Sequence, residues 1–108
     1  MTNKHHEILR MAPLYFGHQS QLTKALEELA ELSLVLARYN HEPARYLSPE
    51  PIVDEIADVA IMVHQLACIF GFKSVQDRID YKVDRLKTKL INGGAYAIEE
   101  GIQSKDSQ

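Results

Sequence analysis

Apolar residues recur along this chain at intervals of three and four, the spacing of one face of an α-helix. The clearest run lies in residues 18–39. Its apolar stripe consists of Leu22, Leu26, Leu29, Leu32 and Leu36. Gly17 precedes the run, and Asn40 with Pro43 beyond it gives the stop signals. We therefore predict a long amphipathic helix with the leucines on its inner face.

A second helix is predicted over residues 51–70, between the prolines at 49 and 51 and the stop signal Gly71. Its stripe consists of Ile52, Ile56, Val59, Val63, Leu66 and Phe70. A third helix is expected from a Ser74 cap to the Gly93-Gly94 pair. Its inner face would carry Val75, Ile79, Val83, Leu86 and Leu90. A shorter helix is expected over residues 4–11.

Long helices joined by short loops favour antiparallel neighbours, so we predict an all-α fold, an antiparallel helical bundle. Apolar residues outside the stripes, such as Val35, Ala60 and Ile69, favour burial against another subunit, and we expect oligomerisation to complete the bundle. Residues 1–92 are predicted to form a single helical domain. Residues 93–108 are expected to be a tail that is disordered or packed on a neighbouring subunit.

Composition limits the classes of function. A chain of 108 residues fits one domain, and a formal net charge of −3 without a basic stretch disfavours nucleic acid as a partner. No segment approaches the roughly 20 apolar residues of a membrane span or begins as a signal peptide does, so no membrane partner is expected. The single cysteine, Cys68, has apolar neighbours and cannot form an internal disulfide, which favours a reducing, cytoplasmic location.

The candidate chemistry lies in two pairs of carboxylates. Glu28 and Glu31 lie three residues apart on the first long helix, and Glu55 and Asp58 repeat this spacing on the second. Either pair alone is typical of a solvated helix face. Both pairs border the apolar stripes, however, and antiparallel packing would bring four carboxylates together. Such a cluster is relieved by a hard divalent cation, so Mg²⁺ or Mn²⁺ is predicted, with a phosphate-bearing substrate to complete its coordination.

Three cations are candidates for binding that phosphate. Lys82 falls close to the inner stripe of the third helix, where a lysine either extends to solvent or points towards the acids or the substrate. Arg85, one turn later, and Lys24 are secondary candidates. The histidines share no ligand spacing apart from the adjacent His5-His6, which we expect to be solvated, and His64 is expected at a helix edge. No Glu-x-x-His occurs, which argues against a ferritin-like di-iron bundle.

The two acidic segments resemble the MazG-like superfamily of all-α NTP pyrophosphohydrolases. The resemblance is carried by Lys24-Ala25-Leu26-Glu27-Glu28-Leu29-Ala30-Glu31-Leu32, by Asp54-Glu55-Ile56-Ala57-Asp58-Val59 and by Ile79-Asp80-Tyr81-Lys82-Val83-Asp84-Arg85-Leu86. Glu-x-x-Glu, a spacer and Glu-x-x-Asp form the family signature, and the resemblance covers roughly residues 15–92. A tandem second copy of the motifs, as in two-domain members, is absent from the sequence.

The resemblance implies Mg²⁺-dependent cleavage of a nucleoside triphosphate or deoxynucleoside triphosphate to the monophosphate and pyrophosphate. It also implies that Glu28, Glu31, Glu55 and Asp58 are metal ligands, that Lys82 contacts phosphate, and that the chain forms a homodimer or homotetramer. Glu28 or Glu31 would accept the proton from the attacking water.

Two alternatives stay open. One is hydrolysis of phosphoribosyl-ATP by an enzyme with the same kind of acidic metal site. The other is a non-catalytic helical oligomerisation or regulatory protein with an acidic metal-binding face.

Overall fold

The fold is all-helical, as the apolar periodicity predicts. A computed structural model describes residues 2–94, and no strand occurs within that range. Its elements are α1 (Asn3–Phe16), α2 (His18–His41), a short 3₁₀ turn (Pro43–Arg45), α3 (Glu50–Phe70) and α4 (Phe72–Asn92). The predicted long helices over residues 18–39 and 51–70 therefore agree with α2 and α3 to within two residues at each end.

Glycines separate consecutive helices with almost no loop. Gly17 lies between α1 and α2 at a φ of 95°, and its N–H donates to the Pro13 carbonyl at 3.0 Å. Gly71 lies between α3 and α4 at a φ of 126°, and its N–H donates to the Ala67 carbonyl at 2.9 Å. Backbones with positive φ favour glycine, since a Cβ strains that conformation. These residues are the start and stop signals that the sequence predicts.

Two helix boundaries differ from the sequence prediction. α1 extends from Asn3 to Phe16 rather than over residues 4–11, because Pro13 lies inside it and does not end it. The side chain of Pro13 is fully buried, so packing compensates for the missing N–H. α4 begins at Phe72, and Ser74 therefore lies within the first turn rather than at the cap.

The contacts divide the chain into two compact units, one covering Met1–Phe72 and one beginning at Lys73. In the first unit, α2 and α3 run antiparallel, because Glu31 approaches Glu55 while Tyr39, two turns later in α2, shares a surface hollow with Ile52 at the start of α3. α1 packs on both helices. The described part of the second unit is α4 and the turn that follows it.

The core between α2 and α3 is small and partly polar. Ala25 and Met62 are its most buried apolar side chains on these helices, at 2% and 3% exposure. Gln21 and Gln65 are buried beside them. The predicted acids lie one or two turns along each helix from this centre.

The leucine stripe of α2 is not its buried face, which corrects the prediction. Leu22 and Leu32 are half-buried, whereas Leu26 is 69% exposed and Leu29 and Leu36 are also exposed. The face against α3 is rotated towards Gln21, Ala25 and Glu28. α3 likewise leaves part of its stripe exposed, namely Ile56, Val63 and Phe70, and in the second unit Ile79, Val83, Leu86 and Leu90 of α4 are exposed.

The prediction of one domain over residues 1–92 stays a prediction. Of the expected tail, residues 95–108 lie outside the described residues. Among residues 2–94, no helix is both long and apolar enough to cross a membrane.

Candidate metal centre

Three carboxylates converge where α2 crosses the start of α3. One oxygen from each of Glu28, Glu31 and Glu55 lies within 4.8 Å of the other two. The three-residue spacing places Glu28 and Glu31 on one face of α2, and the antiparallel course of α3 brings Glu55 against that face. The sequence prediction named these three residues, and the structure brings them together.

The group is partly withdrawn from solvent. The Glu28 side chain is 14% exposed, Glu55 is half-buried and Glu31 is exposed. Oε2 of Glu28 and Oε2 of Glu55 are buried and have no hydrogen-bond partner among the described residues. Buried carboxylate oxygens without partners are costly, so these atoms are suited to receive a cation or a donor from a bound molecule.

Electrostatics reinforce this conclusion. Burial raises the pKa of Glu28, and the negative charges of Glu31 and Asp58 raise it further, against an opposing effect of Lys24. Burial also raises the pKa of Glu55, followed by the charges of Glu31 and Glu28. A pKa raised in this way means that the folded protein resists full ionisation of the group. A divalent cation would relieve both the burial cost and the repulsion.

Asp58 stands at the margin of the group. It is exposed, and its oxygens are not among the three that lie within 4.8 Å of one another. Its charge nevertheless raises the pKa of both Glu28 and Glu55, which shows that it is close to them. Asp58 therefore has access to solvent and to the acidic group at the same time.

The candidate cations occupy two places. Lys24 lies on α2, and its Nζ is 3.8 Å from Oε1 of Glu28, so one cation is already beside the acids. Lys82 and Arg85 lie one turn apart on α4 and line a surface hollow with Leu86 and Lys89. The Arg85 guanidinium also lies 5.9 Å from the centre of the Tyr81 ring. Within its own unit, α4 thus presents a local cationic face.

A second group of metal-binding residue types was missed by the sequence prediction. His6 is half-buried rather than solvated, and its Nδ1 lies 2.9 Å from Nε2 of His64. Cys68 follows His64 by one turn of α3, and one ligand atom from each of the three residues lies within 4.8 Å of the others. Burial lowers the pKa of His64 and raises that of Cys68. The spacing of His64 and Cys68 was readable in the sequence, but the approach of His6 across 58 residues was not.

Comparison with known protein families, with curated proteins and with solved structures gave no match to this chain. The three converging acids, and the buried oxygens and raised pKa values of Glu28 and Glu55, are therefore the observations from which a function can be proposed.

Proposed function

We propose that this protein is a Mg²⁺-dependent nucleotide pyrophosphohydrolase of the MazG-like type, which cleaves a nucleoside triphosphate to the monophosphate and pyrophosphate. One observation carries the proposal: Glu28, Glu31 and Glu55 converge within 4.8 Å. Two of these residues contribute buried oxygens that lack partners among the described residues. The sequence motifs that contain them supply the reaction type.

The donor set fits a hard divalent ion. Carboxylate oxygens alone suit Mg²⁺ or Mn²⁺ better than zinc. Glu28, Glu31 and Glu55 would hold the ion, and Asp58 would join them from the solvent side. When bound, the ion would neutralise phosphate oxygens and make water a stronger nucleophile. Since Mg²⁺ keeps coordination positions for water and substrate phosphate, an acidic group open on one side is appropriate.

Side chains of the protein would transfer the proton and bind the phosphates. Glu28 or Glu31 would accept the proton of the attacking water. Burial raises the pKa of Glu28, which makes its carboxylate a better base near neutral pH. Lys24, beside Glu28, offsets negative charge on the substrate. By the family resemblance, Lys82 would contact a substrate phosphate, with Arg85 as a secondary candidate.

We further propose that a second copy of the chain completes the bundle, as a homodimer or homotetramer. Apolar side chains on α2 and α3 support this assembly, since Leu26, Ile56 and Phe70 are each more than half exposed in one chain. Exposed apolar side chains of this kind favour association with another protein surface.

The test is a panel of nucleoside and deoxynucleoside triphosphates incubated with Mg²⁺, with the products identified. We expect pyrophosphate and monophosphate. Glu31→Gln and Asp58→Asn should abolish the activity, a loss of roughly 10²–10⁴-fold or more, while helicity and oligomeric state are kept. Glu27→Gln is the matched control, because Glu27 is exposed and lies outside the acidic group.

Each other outcome has a definite meaning. Full activity in both acid variants would refute the site, and release of orthophosphate would refute the reaction type. Selective turnover of phosphoribosyl-ATP would assign the chain to the related hydrolysis in place of general triphosphate cleavage. Absence of turnover on every substrate would favour the non-catalytic alternative.

A further inference from the structure

A second cluster of ligand-type side chains lies in the first unit, away from the acidic group. His6 comes from α1, while His64 and Cys68 come from one face of α3. His64 lies nine residues beyond Glu55, which is about 13 Å along a helix axis at roughly 1.5 Å per residue. The two clusters therefore cannot share one ion, and the second can bind its ligand whether or not the acidic group is catalytic.

We propose that His6, His64 and Cys68 form a binding site for Zn²⁺. Imidazole nitrogen and thiolate sulfur are the donors that zinc prefers, in contrast to the all-oxygen set of the acidic group. In a tetrahedral zinc site, bond lengths of about 2.0–2.1 Å to nitrogen and about 2.3 Å to sulfur place the donor atoms roughly 3.3–3.6 Å apart. The three donor atoms here already lie within 4.8 Å of one another.

Little movement is needed to admit the ion. His6 Nδ1 and His64 Nε2 are 2.9 Å apart, at hydrogen-bond distance, so each ring already directs a nitrogen at the other. Replacing the shared proton by zinc requires these atoms to separate by about 0.4 Å. His64 and Cys68 need no rearrangement of the backbone, because residues four apart on a helix share a face.

The surroundings hold the rings and leave an approach from solvent. The ring of Phe72 packs against both imidazoles, with centroid distances of 4.6 Å to His6 and 5.1 Å to His64, which limits their rotation. Cys68 also lines a surface hollow with Arg10 of α1. A site with three protein ligands and an opening to solvent leaves the fourth tetrahedral position to water.

The decisive probe is Co²⁺, which replaces zinc and reports thiolate ligation through its absorption spectrum. The full chain is stripped of metal with a chelator and titrated with Co²⁺. We expect one equivalent per chain to produce a sulfur-to-cobalt charge-transfer band, which Zn²⁺ abolishes and a large excess of Mg²⁺ does not. Absence of the band, or its removal by Mg²⁺, would overturn the proposal.

Variants test the ligand set. Cys68→Ser should remove the charge-transfer band, with helicity measured to show that the variant is folded. His6→Gln should weaken Zn²⁺ binding by at least the roughly 10–100-fold that even outer-shell changes cause. The matched control is His5→Gln, because His5 is the exposed neighbour in the sequence and should bind as the parent does. Unchanged affinity in His6→Gln, or an equal loss in both histidine variants, would refute the assignment.

Discussion

Replacing Gln65 by methionine should stabilise the protein. Gln65 is 5% exposed within a single chain, so the effect does not depend on how chains assemble. Its Oε1 is buried and has no hydrogen-bond partner among the described residues. Burying a polar group without a partner costs about 1–3 kcal/mol by mutational data, and methionine has nearly the same length and volume without the amide. Gln65→Met should therefore raise the free energy of unfolding by about 1–3 kcal/mol.

Urea unfolding followed by helical circular dichroism measures this change. With a slope near 1.5 kcal/mol per molar urea, as expected for a small protein, the midpoint should rise by roughly 0.7–2 M. Gln19→Met is the matched control, because Gln19 is an exposed glutamine of α2 and its replacement should change stability by less than about 0.5 kcal/mol.

A lower midpoint for Gln65→Met would refute the reasoning. Such a result would mean that the Gln65 Oε1 accepts a hydrogen bond in solution, and the candidate donor is Gln21, which is buried on the facing helix. In that case Gln21→Met would also destabilise the protein, and the double variant would show a coupling energy above roughly 0.5 kcal/mol. Additive, stabilising effects would instead show that each amide is buried at a cost.

Three further predictions follow from burial, charge and backbone geometry. Burial raises the pKa of Glu28 and Glu55, so in metal-free protein their contribution to stability is greatest below the ordinary carboxyl pKa of 4.5 and is lost as the pH rises through the raised values. As the pH rises from about 4 to 7, the urea midpoint should therefore fall less steeply in Glu55→Gln than in the parent protein. Met62→Ala should cost about 2–5 kcal/mol in the same assay, because Met62 is 3% exposed at the centre of the interface. Gly17→Ala should cost about 1–3 kcal/mol through backbone strain alone, since its φ is 95° and nothing lies within 4 Å of an added Cβ; an unchanged melting temperature would contradict this.

The secondary structure was predictable because its signals are local. Intervals of three and four residues and the glycines at 17 and 71 give α2 and α3 nearly to the residue. Pro13 shows the limit of local signals. α1 continues through this proline to Phe16, beyond the predicted end at residue 11, and the Pro13 side chain is fully buried.

Which face of each helix is buried was not predictable from periodicity. The leucine stripe marks the apolar side of α2, but the surface against α3 is lined by Gln21 and Ala25. A hydrophobic pattern shows which face of a helix is apolar. It does not specify which surface packs against that face. The large exposed fraction of Leu26 is the direct result.

The spacing in the sequence predicted which carboxylates lie in one region. It did not predict which of their oxygens converge. Spacing predicts that four carboxylates share one region, whereas the structure separates three converging oxygens from an exposed Asp58. The histidine and cysteine cluster was missed for a different reason. Its members belong to helices that meet only in the folded chain, so no spacing in the sequence relates His6 to His64.

Ala25 has a consequence for the spacing of the acidic group. It is 2% exposed and lies one turn before Glu28, on the face of α2 that packs against α3. A larger side chain in a packed core forces its neighbours to move, so a substitution here would push the two helices apart. The oxygens of Glu28 and Glu55, which project from opposite helices, would then separate as well. Ala25 therefore links the packing of the core to the distance between the carboxylates.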